Sequence, residues 1–173
     1  MSKKVGIVIC NYNRCDTLKE CVTAILESRF RDMDVYVVDN ASRDDSVEML
    51  HTFFENQVTV LVNDDNLGGS GGFNRGLQEA MKKDYPYLMC IDNDAMLDEN
   101  AIGVLYDFME EHPECGISCS KVYDLNHPDI VQQFGISIDF QEFCVHSDYE
   151  GREEDGSMPE YVWCDAVPAC SMM

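Results

Sequence analysis

Four short apolar runs alternate with four amphipathic stretches, and that alternation restricts the fold of this chain more than any other feature of it. The runs are Val5–Cys10, Val35–Val38, Val58–Val62 and Tyr87–Ile91. Each is too short for a buried helix and is bounded by polar turn residues, as expected of a strand covered on both faces. Between and after them, apolar residues recur at helical spacing: Leu18, Val22, Ile25 and Leu26; Val47, Leu50, Phe53 and Phe54; Phe73, Leu77, Ala80 and Met81; Ile102, Leu105, Phe108 and Met109. Asp16, Asp45 or its neighbours, and Asp98 stand where N-caps of three of these helices are expected. Strand–helix alternation at short spacing predicts an α/β fold, with a mostly parallel sheet flanked by helices on both faces. Gly116–Val122 reads as a further strand. Beyond it the period changes: Phe134–Phe140 alternates with period two, Gly151–Ser157 is an acidic loop, and Tyr161–Cys164 reads as a last strand. A small antiparallel element near the C-terminus is therefore expected, within one domain spanning residues 1–173. A chain of 173 residues can bury about 70% of its unfolded surface, enough for a real core.

Charge narrows the function classes. Asp and Glu total 33 against 12 Lys and Arg, for a net charge of −21. Such a surface disfavours nucleic acid and anionic membranes as partners and suits divalent cations, which can bridge to an anionic ligand. No apolar run approaches the roughly 18 residues of a membrane span, and Met1-Ser2-Lys3-Lys4 leads into the first strand with no secretory leader, so a cytoplasmic protein is expected, allowing peripheral attachment at the inner face of the membrane. The nine cysteines are odd in number and include no C-x-x-C; several lie in apolar runs, where a reduced thiol acts as a small hydrophobe. His112, Cys115 and Cys119 fit no standard zinc spacing.

In an open α/β sheet, ligands bind beyond the carboxyl ends of the strands. The polar residues collect there: Asn11 to Arg14, Asp39 with Asn40, Asn66 to Gly72, and Asp92 to Asp94. In extended backbone Asp92 and Asp94 project to one side, so the pair can hold Mg²⁺ or Mn²⁺ and leave positions for phosphate oxygens. The glycine run allows backbone to approach a ligand, and a helix beginning beyond it favours an anion. A dinucleotide fingerprint counted from Gly69 and Gly71 needs a third glycine where Asn74 stands, and the run follows the third strand instead of the first. Asp39 can accept from a base imide or a ribose hydroxyl, or simply cap a turn. Arg14 and Arg75 are scarce cations near these loops, able to meet a diphosphate or to pair with surface acids. Trp163, the only tryptophan, beside Asp165, suits either a sugar platform or a packing role.

Taken in order, Ile7–Arg14, Val37-Val38-Asp39-Asn40-Ala41-Ser42, Asn66-Leu67-Gly68-Gly69-Ser70-Gly71-Gly72-Phe73-Asn74-Arg75-Gly76 and Ile91-Asp92-Asn93-Asp94 resemble family 2 glycosyltransferases of the GT-A fold. Asp165–Cys170 resembles the acceptor-side segment of that family. The form of the glycine run is most similar to the galactofuranosyl- and rhamnosyltransferase-like branch, which implies UDP-galactofuranose or dTDP-rhamnose as donor. The resemblance further implies that Asn11, Asn13 and Arg14 line the nucleotide pocket, that Asp39 faces the base, and that Asn66, Gly68, Gly69 and Arg75 border the ribose and diphosphate. Asp92, Asn93 and Asp94 would form the D-x-D element, with Asp92 and Asp94 as ligands of Mn²⁺ or Mg²⁺. The implied reaction is inverting transfer of a sugar from a UDP- or dTDP-sugar to a hydroxyl of a glycan or lipid-linked acceptor, in polysaccharide or cell-surface glycan synthesis.

The acidic motif that supplies the general base in this family has no match before Met173, and Asp165 does not fit its pattern. The base is thus expected beyond Met173, in a chain truncated at its C-terminus, and a non-catalytic nucleotide-sugar-binding fragment is the alternative reading. Apolar surface at Tyr161–Trp163 and Ala166–Met173 would then lack partner elements and favour a homo-oligomer. Asp92-Asn93-Asp94 also loosely fits a haloacid-dehalogenase-like phosphotransferase, with Asp92 as nucleophile, though Ala95-Met96 departs from that motif. An EF-hand is excluded: counted from Asp92, its glycine falls on Leu97 and its terminal glutamate on Gly103.

Overall fold

The computed structural model describes residues 3–173; the expectation about a leader rests partly on Met1 and Ser2, which lie outside the described residues. The four apolar runs form parallel strands, β1 (Val5–Asn11), β2 (Met33–Asp39), β3 (Val58–Val62) and β4 (Tyr87–Asp92). Four helices alternate with them: α1 (Cys15–Glu27), α2 (Ser46–Phe53), α3 (Gly68–Ala80) and α4 (Ala101–Glu111). The sheet runs β3-β2-β1-β4, and a short antiparallel strand, β9 (Ser171–Met172), closes its far edge against β4.

Strand order dictates the faces. The chain steps from β1 to β2 to β3 in one direction and then returns past β1 to β4. Right-handed crossovers therefore place α1 and α2 on one face and α3 on the other. Packing agrees: Leu18, Val22, Ile25, Leu50, Ile102 and Leu105 meet Ile7, Ile9, Val37 and Ile91, whereas Phe73, Leu77 and Ala80 of α3 meet Val8 and Val38. The side-chain alternation of β1 and β2 feeds both cores, which is why these strands are apolar at successive positions.

The expected caps are corrected in part: a neighbour of Asp45, and not Asp45 itself, serves α2. None of the four helices is capped by the side chain of its own N-cap residue. Asp44 serves two of them instead: Oδ2 accepts the Cys15 N–H at 3.0 Å, and Oδ1 accepts the Ser46 N–H at 3.1 Å and its hydroxyl at 2.6 Å. Burial would raise the Asp44 carboxyl, but these bonds outweigh it and hold it below its ordinary range.

Past α4 the structure is sparser than expected. The run Gly116–Val122 yields an isolated bridge from Cys119 to Met172 and, at its end, β5 (Val122–Tyr123), which pairs with β6 (Val131–Gln133), and the period-two stretch yields the hairpin of β7 (Ile136–Asp139) and β8 (Cys144–Ser147). Tyr161–Cys164 is not a strand; Tyr161 and Trp163 pack instead around Phe108 and His112 of α4. The strand lies later, at β9, so Ser171 and Met173 are buried and the apolar surface expected there is covered, while Trp163 stays 58% exposed. All nine cysteines carry free thiols. Among the described residues, no helix is long and apolar enough to cross a membrane.

At the amino-terminal end of the sheet, Tyr85 lies over Gly6 and donates its hydroxyl to Asp34, which also accepts from Lys83 at 3.0 Å. Burial pushes Asp34 up, and the bonds from Tyr85 and Lys83 pull it further down, below its ordinary value. A depressed carboxyl contributes stability above its unfolded pKa and loses it as the pH falls through the folded value. Tyr85→Phe is therefore expected to cost about 1 kcal/mol near neutrality, and progressively less as the pH falls below the ordinary carboxylate range toward the depressed folded value, where protonation of Asp34 weakens the bond. Denaturant melts near neutrality and across that acid range check this; a penalty independent of pH would contradict the coupling.

Candidate active site at the carboxyl edge of the sheet

Register brings the strand ends together. Asn11 lies opposite Asp39, Cys10 opposite Asp92, and Asp39 opposite Val62, so the polar residues that follow four strands share one edge. The ladder runs on into the loops, with the Asn40 N–H donating to the Asn11 carbonyl and the Asn63 N–H to the Asp39 carbonyl, both at 2.8 Å.

A chain of amides spans this edge. Asn93 Nδ2 donates to Asn11 Oδ1 at 2.7 Å, and Asn11 Nδ2 donates to Asp39 Oδ1 at 3.0 Å. Asp39 also accepts the Ser42 hydroxyl at 2.6 Å and the Ser42 N–H at 2.8 Å. Asn11 and Asp39 are both 0% exposed. The carboxylate thus fixes the loop around it, and contact with a nucleobase would require the Ser42 hydroxyl to turn away. Asn13, with φ of 52°, locks the neighbouring loop: its N–H donates to Ser42 Oγ at 2.9 Å and its Oδ1 accepts the Arg43 N–H at 2.7 Å. Arg14 precedes α1, is exposed, and forms no ion pair among the described residues, so its charge remains available to an anion.

The glycine run differs from the expected loop. Helix α3 begins at Gly68, inside the run, after a turn in which Asn66 Oδ1 accepts the Gly68 N–H at 2.8 Å. The reason lies in packing. A Cβ at Gly72 would overlap Cys10 Sγ and lie 2.8 Å from Asn40 Nδ2; one at Gly76 would overlap Val8 Cγ1 and lie 2.9 Å from Val38 Cγ2. These glycines let α3 press against β1 and β2. Gly69, by contrast, has open space around it, and beyond the Gly68 N–H, which Asn66 holds, the first turn of α3 presents uncapped N–H groups at the edge of the site. Arg75 faces inward: Nη1 donates to the Val62 carbonyl at 2.7 Å and to Asn63 Oδ1.

On the other side stands the acidic pair. Asp92 is half-buried and Asp94 exposed; burial, then the charge of Asp94, raises the Asp92 carboxyl above its ordinary value. Below them, Cys21 Sγ donates to the Asp92 carbonyl at 3.4 Å, and the Asp92 N–H donates at 3.0 Å to the carbonyl of Cys170, the residue before β9, which braces the turn. Among the described residues, no group of three or more His, Cys, Asp or Glu forms a metal cage. The donor set fits Mg²⁺ or Mn²⁺ in another way: two mutually repelling carboxylates are relieved by a hard cation, whose remaining positions go to waters and ligand oxygens. Trp163 stands in the aromatic group on α4, and Asp165 Oδ2 accepts the Ile138 N–H at 2.9 Å, bracing the hairpin.

The residues that sequence reasoning passed over are Ser42, Asp44 and Asn63, and the part played by Asn40. Asn63 had a usable signal: like Asn11 and Asp39, it ends an apolar run. Asp44 had half a signal: it stands two residues before Ser46, among the neighbours of Asp45 expected to start α2, whereas its bond to the Cys15 N–H crosses 29 residues and leaves no local sign.

The sequence profile described as glycosyl transferase family 2 matches residues 6–151. The chain belongs to that family. The match embraces all four motifs and decides against the phosphotransferase alternative. Glycosyltransferase GlyG of Streptococcus pneumoniae is 29% identical over 147 residues, which are 84% of this chain and 47% of that protein. Poly-beta-1,6-N-acetyl-D-glucosamine synthase of Staphylococcus aureus is 23% identical over 113 residues, 65% of this chain and 27% of that protein. The chain therefore spans about half or less of the length of these curated relatives. Among solved structures, S. aureus TarS superimposes with a TM-score of 0.64 at 18% identity, over 79% of this chain and 41% of that one. The mannosyltransferase PcManGT of Pyrobaculum calidifontis, in complex with GDP-Man and Mn²⁺, gives a TM-score of 0.59 at 20% identity, over 70% of this chain and 36% of that one. These solved structures thus share the GT-A-like architecture found here, with its mostly parallel sheet and small antiparallel elements.

Proposed function

We propose that residues 1–173 form one GT-A nucleotide-sugar-binding unit, the donor half of an inverting glycosyltransferase of polysaccharide or cell-surface glycan synthesis. One observation carries this reading: the edge where Asn11, Asp39 and Asn93 are joined by hydrogen bonds also holds the Asp92–Asp94 pair and the uncapped first turn of α3. A nucleoside diphosphate needs that combination. Asn11, Asn13 and Asp39 shape the base and ribose end, with Asn93 holding Asn11 in orientation. Asn66 and the Gly69 N–H face the diphosphate, and Arg14 supplies the exposed positive charge. Asp92 and Asp94 would hold Mn²⁺ or Mg²⁺, which when bound neutralises charge on the leaving diphosphate. TarS is known in complex with UDP-GlcNAc and PcManGT with GDP-Man and Mn²⁺, which supports a metal-assisted nucleotide-sugar donor. Within that class, the form of the glycine run favours UDP-galactofuranose or dTDP-rhamnose.

The acceptor is a hydroxyl of a glycan or lipid-linked sugar, and a general base must take its proton. No acid in residues 1–173 matches the family's base motif. With the chain spanning 47% of GlyG, this favours a second reading, in which these residues bind donor without turning it over. The protein would work in the cytoplasm, where nucleotide sugars are made, peripherally at a membrane if the acceptor is lipid-linked; association into homo-oligomers through Tyr161 and Trp163 belongs to the same proposal.

Calorimetric titration of UDP, dTDP and GDP, each with and without Mn²⁺, tests the reading. Binding of one nucleotide that requires the metal is expected. A folded chain that binds none of them overturns it, and sugar transfer to an acceptor by this chain alone overturns the binding-only reading.

A further inference from the structure

A run of polar side chains on the α3 side, Arg75 half-buried and Asn63 and Asn40 buried, ends on the phosphate-facing turn of the site. Arg75 Nη1 donates to Asn63 Oδ1; Asn63 Nδ2 donates to Asn40 Oδ1 at 2.6 Å; Asn40 Nδ2 donates to the Gly68 carbonyl at 2.9 Å and to Cys10 Sγ at 3.2 Å. Asn40 is 2% exposed and Asn63 5%, so neither amide has water as an alternative partner.

The sense of the relay is set at its charged end. A guanidinium only donates. It must therefore face the carbonyl of Asn63, which turns the Asn63 NH₂ toward the carbonyl of Asn40, which in turn aims the Asn40 NH₂ at Gly68. Reversing either amide would place donor against donor. At the far end, the Gly68 carbonyl is drawn inward. Across a planar trans peptide, the next N–H points the opposite way, so the Gly69 N–H is turned outward, where no side chain caps it. The remaining space is closed by Gly72, whose missing side chain leaves room for the Asn40 amide.

We propose that Arg75 acts on the donor as a positioning residue, through Asn63 and Asn40, by orienting the first turn of α3 toward the diphosphate. This differs from the direct contact between Arg75 and diphosphate that the sequence suggested. The inference rests on the donor-site reading above.

A double-mutant cycle on the full chain separates the two roles. Affinities for UDP and for uridine are measured with Mn²⁺ for the wild type, Arg75→Ala, Asn40→Ser and the double variant. Each single change is expected to weaken UDP about tenfold and leave uridine within about twofold, and the double variant is expected to lose no more than either single one, since both break one relay. Losses that multiply to about a hundredfold would mean that Arg75 makes its own contact, and would overturn the proposal. Equal weakening of UDP and uridine would also overturn it, by showing general loosening of the edge. If Asn40→Ser fails to fold by circular dichroism, Asn63→Ser takes its place in the same cycle. A wild-type chain that binds neither ligand refutes the donor-site reading itself, an outcome visible before any variant is made.

Discussion

Asp94→Ala is expected to abolish the metal dependence of nucleotide binding. In the proposed site the cation would have two protein carboxylates, Asp92 and Asp94, and among the described residues no third acidic, histidine or cysteine ligand completes a cage. Removing one carboxylate leaves a single anionic ligand. Loss of mere supporting residues around a metal costs about 10- to 100-fold in affinity, and loss of a ligand should cost at least about 100-fold. Calorimetry with Mn²⁺ present and absent reads this directly; an unchanged metal response would place the cation elsewhere. Asp92→Asn separates the metal role from the structural one. The half-buried Asp92 carboxylate is disfavoured by burial and by Asp94. Its neutral amide should therefore raise the melting temperature of the metal-free chain while removing the response to Mn²⁺. A lower melting temperature in the metal-free variant would contradict the stated cause.

Gly76→Val is expected to be the most damaging single change in α3. Its side chain would be driven into Val8 and Val38, both fully buried in central strands that cannot retreat. Overpacking of a close-packed core costs about 1–3 kcal/mol where neighbours can shift, and more where backbone must move, so a loss of at least about 3 kcal/mol is expected. Gly69→Ala is the contrast in the same run. Its Cβ would meet nothing within 4 Å, and alanine in a helix is favoured over glycine by about 1 kcal/mol. Thermal or denaturant melts of the two variants should move in opposite directions. Similar losses would mean that the glycines serve only as a flexible loop.

That contrast shows what was readable in the residues and what was not. Gly68 to Gly76 announces itself as a place where backbone comes close to something. The sequence does not say whether the neighbour is a ligand or a strand. The structure divides the run: Gly72 and Gly76 face the sheet, four residues apart on one side of the helix, while Gly69 faces outward. Asp39 and Arg75 teach the same lesson. Asp39 was legible as an acid at a strand end, and Arg75 as a scarce cation close to the polar loops. Only the fold shows that Asp39 is enclosed by Asn11 and Ser42, and that Arg75 points back toward Val62 and Asn63.

By itself, the sequence determined the strand–helix alternation, the parallel sheet with both faces covered, and the clustering of polar residues at its carboxyl edge. Those follow from local periodicity and turn residues, which each segment carries independently of its neighbours. The order of its motifs was enough to indicate the family. Tertiary structure alone decided which carboxylate caps α1 and α2, where the last strand joins the sheet, and how Asn40 and Asn63 link Arg75 to the first turn of α3. Each of these depends on groups distant in sequence meeting at distances of a few ångströms, and a hydrogen bond leaves no period along the chain from which it can be read.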